Sequence, residues 1–204
     1  MSSFPSRFPM VAVPTELLWA FIGLILTILG TFVGASITSP PWQWSQAGVQ
    51  AYPLGVSFQI GAVLLVGCMG GRNAAVLSQI AYLGLGLAGF NVFTYGSGIN
   101  YFREPSFGYL VGFIPGAWVC GSLALRVLPQ LESLAFSCLC GLLTIHVTGL
   151  VYLIVAYAFS WVTAPGVLIF QAMYQYSIYP FPGQLAIACA VAVLTYVLRR
   201  LMFY

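Results

Sequence analysis

This sequence contains very little charge: of its 204 residues, 4% are charged and 61% are hydrophobic. The charged set is six arginines and three glutamates, and lysine and aspartate are absent from the whole sequence. Because roughly a quarter of the residues in a soluble domain are charged, so few charges cannot cover an aqueous surface of this size. The composition therefore predicts an integral membrane protein whose surface is covered mostly by lipid.

The absent residues also exclude several mechanisms. Without lysine there is no P-loop lysine and no Schiff base, and without aspartate there is no aspartyl-phosphate and no Ser-His-Asp triad. The sequence contains no HExxH or GxSxG motif. Its net charge of +3 is too small and too dispersed for a nucleic-acid surface. We therefore expect a protein that is not an enzyme, has no metal or cofactor site and binds no nucleic acid.

Two local patterns have simple structural explanations. The five cysteines lie in apolar runs, and Cys138 and Cys140 point in different directions if that region is helical. We interpret the cysteines as packing residues rather than as a disulfide framework or a zinc site. The stretch from Gly84 to Gly89 spells GxGxxG, but no strand precedes it. Close helix packing therefore explains these glycines better than nucleotide binding does.

Apolar segments of membrane-spanning character occur six times in the chain. Their predicted bounds are residues 17–37, 56–69, 74–88, 107–127, 133–161 and 183–198. The second and third are short and are separated by the break Gly70-Gly71-Arg72-Asn73. We therefore predict an all-α integral membrane protein, residues 1–204, that forms one compact bundle of six transmembrane helices.

The distribution of arginine predicts the orientation of this bundle. Six spans place both termini on the same side of the membrane. If that side is the cytoplasm, five arginines lie inside and Arg103 lies outside, whereas the opposite orientation violates the positive-inside rule. The arginines placed inside are Arg7, Arg72, Arg126, Arg199 and Arg200. Both termini are therefore predicted to be cytoplasmic.

The predicted outer loops differ from the inner ones in length and composition. They cover residues 38–55, 89–106 and 162–182 and are rich in tryptophan, tyrosine and side-chain amides. Long loops in a compact protein often carry function, and aromatic residues with a few amides suit a pocket for a small, partly apolar ligand. An interfacial aromatic belt that binds nothing explains the same composition equally well.

Several polar residues allow two interpretations. His146 lies near the middle of the fifth span, where it either relays protons or bonds to a neighbouring helix. We favour the helix contact, because all three glutamates lie near span ends and none shares its depth. Gln79 is expected to tie helices together, whereas Gln59 is placed to face a pocket. Arg103 either meets a ligand carboxylate or pairs with Glu104, and the structural pair is favoured.

The order of short motifs after residue 50 is more specific. Pro53, Ser57 and Gln59 lead into the second span, a Gly-rich break covers residues 67–72, and Tyr82-Leu83-Gly84-Leu85-Gly86 follows. The later motifs are Gly89-Phe90-Asn91-Val92-Phe93, Gly96-Ser97-Gly98, Glu104-Pro105-Ser106-Phe107-Gly108-Tyr109-Leu110 and Tyr179-Pro180-Phe181-Pro182-Gly183. In this combination and order the sequence resembles the BioY family, the biotin-binding S components of energy-coupling factor (ECF) transporters.

The sequence departs from that family's pattern at a few positions. Asn91 replaces a proline in a turn, and Glu104 replaces a glycine. Gln184 and Ile187 stand where the family usually has an aspartate and a lysine associated with the ligand pocket. Glutamine can still hydrogen-bond a neutral ureido group, but isoleucine cannot meet a carboxylate. We therefore hypothesise that Arg103 supplies the cation that the lysine would have provided.

The resemblance implies a membrane subunit for high-affinity biotin uptake, with its binding site near the outer surface. Outer aromatic side chains would pack on the bicyclic ring of biotin, and side-chain amides would bond its ureido group. The predicted substrate-binding residues are Gln59, Asn91, Phe93, Tyr95, Asn100, Arg103, Tyr109, Tyr179 and Gln184. Biotin is then a transported ligand and not a cofactor.

The resemblance also implies partners and a location. Family members are energised by a separate module of two ATPases and a transmembrane coupling protein, and they are multi-pass proteins of the prokaryotic plasma membrane. Three alternatives stay open. The chain is an S component for another vitamin, as Gln184 and Ile187 would suggest, a solitary carrier or facilitator of a small solute, or an intramembrane enzyme that uses His146.

Overall fold

A computed structural model describes residues 13–126, 130–161 and 168–203 of the chain. Arg7, the predicted end of the fourth span at Val127 and the loop segment 162–167 lie outside the described residues. The helices are α1 (Val13–Phe32), α2 (Trp44–Ala47), α3 (Gln59–Leu87), α4 (Phe107–Ala124), α5 (Leu131–Ala158), α6 (Ile169–Met173) and α7 (Phe181–Phe203). Strands β1 (Gly34–Thr38) and β2 (Ala51–Ser57), two 3₁₀ turns (Pro41–Gln43, Ile99–Arg103) and a π-helical turn (Tyr174–Ile178) complete the described part.

The described part of the chain is a helical membrane bundle. Five helical segments are long and apolar enough to cross a membrane: Pro14–Phe32, Gln59–Leu87, Phe107–Ala124, Leu131–Ala158 and Ile169–Met202. Large apolar side chains cover the outside of the bundle, and Phe21 and Val147 are each 60% exposed. Such exposure suits lipid rather than water, so the prediction of a multi-pass membrane protein is confirmed.

An antiparallel hairpin corrects the expectation of an all-α fold. Strand β1 pairs with β2, with Gly34 opposite Ser57 and Ile37 opposite Tyr52. The predicted first span therefore extends too far at residue 37, and the second begins too early at residue 56. The error arose because β-branched and aromatic residues such as Ile37 are apolar, yet they pack well in strands. Apolar content alone does not distinguish a strand from the end of a helix.

Helix α3 is not straight, because the chain reverses direction inside it. Gly71 has φ +80° and ψ 177°, a conformation that suits glycine. Gln59 Nε2 lies 2.8 Å from the hydroxyl of Tyr82, although a straight helix would separate residues 23 apart in sequence by about 35 Å. The arm before Gly71 and the arm after it are therefore antiparallel and lie side by side.

Helix α1 packs along both arms of α3. A Cβ on Gly30 would lie 3.0 Å from the backbone nitrogen of Gln59, so the two backbones approach closely there. On the second arm, Gln79 Nε2 donates a hydrogen bond to Thr27 Oγ1 at 3.2 Å. The expectation that Gln79 ties two helices together is confirmed.

Close packing also joins α4 to its neighbours. A Cβ added to Gly121 would lie 2.6 Å from the backbone nitrogen of Arg72, and one added to Gly112 would lie 2.8 Å from the carbonyl oxygen of Ile145. No side chain fits at either position without moving a backbone. Glycine therefore allows α4 to contact the α3 turn and the middle of α5 directly.

Three of the five cysteines meet inside the bundle. Cys68 Sγ lies 3.5 Å from Cys120 Sγ and 3.6 Å from Cys138 Sγ, and all three residues are buried. These distances are contacts between free thiols, since a disulfide bond is about 2.05 Å long. The packing interpretation fits these three, whereas Cys140 is half-buried and Cys189 is exposed.

Candidate functional site

A cavity of about 310 Å³ opens where four elements meet. Its walls come from β2, the start of α3, the start of α4 and the junction between the π-helical turn and α7, with residues 94, 95 and 101 covering one side. This volume lies at the lower end of the range for small-molecule sites. The hairpin and the α3 reversal both contribute to the cavity, because they bring β2 and the first arm of α3 to the same end of the bundle.

The structure brings five of the predicted site residues to this cavity. They are Gln59, Tyr95, Tyr109, Tyr179 and Gln184, and they come from α3, the loop after α3, α4 and the start of the α7 region. They are separated by up to 125 positions in the sequence. The fold therefore assembles one polar and aromatic wall from residues that the sequence places far apart.

Four other predicted site residues lie away from the cavity wall. Asn91 is exposed, and its Oδ1 accepts a hydrogen bond from Ser97 Oγ at 2.8 Å. Asn100 is exposed, and the guanidinium of Arg103 lies 5.6 Å from the ring of Phe102 at the surface. A ligand role for these three residues stays a prediction, as does the hypothesis that Arg103 reads a carboxylate.

Phe93, the fourth of these residues, supports the cavity from behind. Its ring is 3% exposed, lies 5.3 Å from the ring of Tyr82 and lies 4.6 Å from the ring of Tyr101. A Cβ on Gly86 would occupy the position of that ring. Phe93 therefore holds Tyr101, which does line the cavity, in place.

Gln59 is joined to the loop after α3 through Tyr82. Gln59 Nε2 donates to the Tyr82 hydroxyl at 2.8 Å, and that hydroxyl donates to the carbonyl oxygen of Val92 at 2.8 Å. Thr31 Oγ1 of α1 lies 3.2 Å from the same hydroxyl. Gln59 is 7% exposed. Its side chain is thus held at the cavity wall by a buried network rather than by solvent.

Gln184 is held in a comparable way by His146. His146 Nε2 lies 2.6 Å from Gln184 Oε1, and the histidine is 6% exposed. The imidazole packs edge-on against Tyr109 and Phe181, with ring centroids 5.9 and 5.4 Å away. The expectation that His146 bonds to a neighbouring helix is confirmed, since Gln184 belongs to α7.

Several residues that line the cavity are not among the predicted site residues. Tyr101, Gln175 and Tyr176 line it, although their loops contain other aromatic and amide side chains that do not. Gln175 and Tyr176 lie in the π-helical turn, a type of turn that occurs often at functional sites. No signal in the sequence identifies a π-helical turn. Phe113 was detectable, because it lies four residues after Tyr109 on the same face of α4.

The cavity wall carries no charged side chain among the described residues that line it. Its polar groups are amides and hydroxyls. Burial raises the pKa of Tyr101 above its ordinary value, against the smaller opposing effect of its hydrogen bond with Ser106. The Tyr101 hydroxyl therefore stays neutral at physiological pH. The site is suited to a ligand group that is polar, uncharged and flanked by apolar surface.

These features define a class of protein: a membrane-embedded helical bundle with an uncharged, aromatic cavity for a small ligand. A family model described as the BioY family matches residues 13–203. The chain therefore belongs to the BioY family, and the resemblance stated from its motifs is confirmed.

The chain is also similar in sequence to two individual proteins. A protein of Lysinibacillus sphaericus described as a probable biotin transporter BioY is 43% identical over 102 residues, which cover 49% of this chain and 52% of that protein. A 21.2 kDa protein from the psbX-ycf33 intergenic region of Cyanophora paradoxa is 27% identical over 187 residues, 91% of this chain and 95% of that protein.

A solved structure shares the fold. The 2.1 Å crystal structure of the S component for biotin from an ECF-type ABC transporter matches with a TM-score of 0.65, covering 92% of each chain at 21% sequence identity. The chain therefore shares the overall fold of that S component. Neither the matched family nor the matched structure is described as an enzyme.

Proposed function

We propose that this protein is the biotin-binding, substrate-specific subunit of an ECF transporter. The observation that carries this proposal is the uncharged cavity, in which the buried Gln59 and the half-buried Gln184, each held by a hydrogen bond, face aromatic side chains. Membership of the BioY family and the similarity to the Lysinibacillus sphaericus protein described as a probable biotin transporter BioY support biotin as the ligand.

The cavity suits the two chemically different parts of biotin. Gln59 and Gln184 supply hydrogen-bonding groups for a neutral ureido ring, while Tyr95, Tyr109 and Tyr179 supply aromatic surface for the apolar part of the bicycle. Ile187 is 4% exposed, and its Cγ2 lies 2.8 Å from where a Cβ on Gly61 would be. Ile187 thus packs between α7 and α3 and offers no cation to a carboxylate. The carboxylate of biotin would therefore point toward the opening of the cavity.

Calorimetry of the purified protein tests the ligand. Titration with biotin, and separately with thiamine and riboflavin as other vitamins, is expected to show tight binding of biotin alone. Desthiobiotin, which keeps the ureido ring, should bind as well, though more weakly. Tight binding of another vitamin and none of biotin would overturn the assignment of the ligand while leaving the fold unchanged.

The same proposal includes a partner module of two ATPases and a transmembrane coupling protein. The chain has no P-loop lysine to bind ATP, and the solved structure of similar fold is an S component of an ECF-type transporter. In proteoliposomes we expect ATP-dependent uptake of biotin only with the module present. Uptake of biotin by the protein alone would instead identify a solitary facilitator.

We further propose six membrane crossings with both termini in the cytoplasm. The two arms of α3 count as two crossings, because the chain reverses at Gly71. Arg72 follows that turn, Arg126 follows the end of α4, and Arg199 Nη1 donates to the carbonyl oxygen of Ala124 at 2.9 Å. These arginines gather at the end opposite the cavity, which supports a cytoplasmic position for that end.

The proposed membrane is the plasma membrane of a prokaryotic cell, with the cavity facing outward. Single-cysteine labelling with a membrane-impermeant maleimide tests the orientation, with the five natural cysteines replaced. A cysteine at Asn100 should be labelled from outside intact cells, and a cysteine at Arg72 only after permeabilisation. The reverse pattern would contradict the proposed topology.

A further inference from the structure

The hydrogen bonds of Tyr82 determine which way the amide of Gln59 points. Tyr82 is fully buried, and its hydroxyl has one proton to donate. The carbonyl oxygen of Val92, 2.8 Å away, can only accept a hydrogen bond. Thr31 Oγ1 also acts as an acceptor here, because its own proton is donated to the carbonyl oxygen of Thr27 at 2.8 Å.

The proton of Tyr82 is therefore unavailable to Gln59. The Tyr82 oxygen must accept from Gln59, and only the NH₂ group of that amide can donate. The amide is thus turned with its nitrogen toward Tyr82. Its oxygen, Oε1, is left for the cavity that Gln59 lines, and it has no protein partner within the described part of the chain. The cavity has a hydrogen-bond acceptor at this position.

His146 sets the opposite polarity at Gln184. His146 Nε2 lies 2.6 Å from Gln184 Oε1, and His146 Nδ1 is buried with no hydrogen-bond partner among the described residues. A proton on Nδ1 would leave a buried donor unpaired, so we assign the proton to Nε2, which donates it to the amide oxygen. The NH₂ group of Gln184 is then left for the cavity. The imidazole is held between Tyr109 and Phe181, and Tyr109 is itself fixed by a 2.6 Å hydrogen bond to Ser177. The cavity therefore has hydrogen-bond donors at Gln184.

We propose that Tyr82 and His146 are positioning residues that give one cavity two fixed and opposite polarities, an acceptor at Gln59 and a donor at Gln184. Such a cavity selects a small ligand that carries both an N–H group and an acceptor oxygen. Neither positioning residue needs to touch the ligand. The identity of that ligand rests on the proposed function, in which the ureido ring of biotin carries both groups.

The orientation of Gln59 can be measured without any ligand. In detergent-solubilised protein labelled with ¹⁵N-glutamine, the side-chain NH₂ signal of Gln59 is assigned by its loss in Gln59→Leu. Because Tyr82 accepts from this group, Tyr82→Phe should speed its hydrogen exchange about tenfold, the loss of one buried hydrogen bond. Exchange that is unchanged in Tyr82→Phe would overturn the proposed role of Tyr82.

A double-mutant cycle tests whether Tyr82 acts through Gln59. Calorimetry should show that Tyr82→Phe weakens biotin binding about tenfold in the wild-type background and has no further effect in Gln59→Leu. Biotin methylated on a ureido nitrogen lacks one N–H group, so it should discriminate less between wild type and Tyr82→Phe. Equal losses in both backgrounds would show that Tyr82 acts only through the general structure, which contradicts the proposal.

The corresponding cycle of His146→Leu and Gln184→Leu tests the donor. His146→Leu should weaken biotin binding in the wild-type background only, and His146→Gln, which can donate to Oε1, should restore part of it. If His146→Leu lowers the affinity for both biotin and biotin methyl ester, the ureido oxygen is the group that accepts from Gln184. If it lowers the affinity for the free acid alone, the carboxylate is that group. No loss for either ligand would overturn the donor assignment.

Tyr152→Phe is the matched control, because the Tyr152 hydroxyl donates to the carbonyl oxygen of Phe102 and does not line the cavity. It should change neither the exchange of Gln59 nor the affinity for biotin. A wild-type protein that protects the Gln59 amide but does not bind biotin would contradict the proposed ligand and leave the polarity intact. A protein that binds biotin with an unprotected Gln59 amide would contradict only the polarity.

Discussion

The two ends of the bundle are held together by different chemistry. At the cavity end, helices are joined by hydrogen bonds between long polar side chains, such as Gln59 with Tyr82 and Gln184 with His146. At the opposite end, around the turn at Gly71, glycine backbones and three touching thiols make the buried contacts. The hydrogen bonds there include the exposed one from Asn73 to Glu16 and the half-buried one from Arg199 to the carbonyl oxygen of Ala124.

This difference separates binding from folding. Amides held in one orientation present a hydrogen-bond donor or acceptor at a fixed position, which a binding site needs in order to select among ligands. Each such hydrogen bond contributes only about 1 kcal/mol to the net free energy of folding. Close contact between helices provides dispersion contacts in a bilayer, where burial of apolar surface adds little. We call the end around the turn at Gly71 the glycine-packed end. Substitutions at the cavity end should therefore change the affinity for biotin, and substitutions at the glycine-packed end should change the free energy of unfolding.

The largest effect is expected from Gly121→Ala at the glycine-packed end. The new Cβ would lie 2.6 Å from the backbone nitrogen of Arg72, so α4 and the α3 turn must separate. We expect a loss of about 2–3 kcal/mol from overpacking, seen as a lower midpoint of thermal unfolding in detergent. Protein that remains folded should bind biotin with unchanged affinity.

Gly84→Ala is the matched control for that experiment, because nothing lies within 4 Å of a Cβ at this helical position. It should leave the unfolding midpoint unchanged or raise it slightly, since alanine favours helix. A midpoint for Gly121→Ala that equals that of Gly84→Ala would show that the turn and α4 are not packed as closely as described.

The second prediction concerns the cavity end. Gln59→Leu removes an amide that lines the cavity, while Tyr82 keeps its hydrogen bond to Val92. We expect biotin affinity to fall by about ten- to thirtyfold in calorimetry, with little change in the unfolding midpoint. Gln79→Leu is its counterpart, because Gln79 is fully buried between α1 and α3 and does not line the cavity. A loss of affinity in Gln79→Leu as large as that in Gln59→Leu would contradict the separation of binding from folding.

The sequence predicted the long helices better than the elements between them. Length and apolar content locate α4 and α5 within three residues of their ends at Ala124 and Ala158, because lipid demands a continuous apolar helix. The same criterion failed at β1, where apolar strand residues follow α1 directly. Nothing local distinguishes the two, since the hairpin exists only when β2 pairs with β1.

The candidate site was predictable in residue type but only partly in position. Gln59 and Gln184 stand beside proline- and glycine-rich motifs at helix starts, and the structure brings both to the cavity. Asn91 has the same side chain chemistry but bonds to Ser97 in its own loop. Whether a loop amide faces a cavity or its own backbone depends on the loop conformation, which composition does not encode. Similarly, Tyr82 has no visible partner in the sequence, because Gln59 meets it only after the chain reverses at Gly71.

A smaller effect is expected from Cys138→Ser, again at the glycine-packed end. The side chain is fully buried against Cys68, and a hydroxyl placed there replaces a weakly polar thiol with a stronger hydrogen-bonding group. We expect a loss of about 1 kcal/mol in stability, measured as a modest fall in the unfolding midpoint, and no change in biotin affinity. Cys189→Ser is exposed and should change neither quantity. Reduced biotin affinity in Cys138→Ser at full folding would mean that the two ends are coupled.

The smallest effect is expected from Arg103→Gln, which tests the boundary of the cavity end. Arg103 is exposed and lies over the ring of Phe102 rather than at the cavity wall, so water screens its charge from a bound carboxylate. For the Arg103→Gln variant, we compare the affinity for biotin with the affinity for biotin methyl ester. We expect the ratio of these two affinities to differ from the wild-type ratio by less than about threefold. A selective loss of the free acid well beyond this would show that Arg103 reads the carboxylate. In that case the cavity end includes the 3₁₀ turn at Ile99–Arg103. Arg103 at the surface would then supply the carboxylate of biotin with the cation that Ile187 cannot provide.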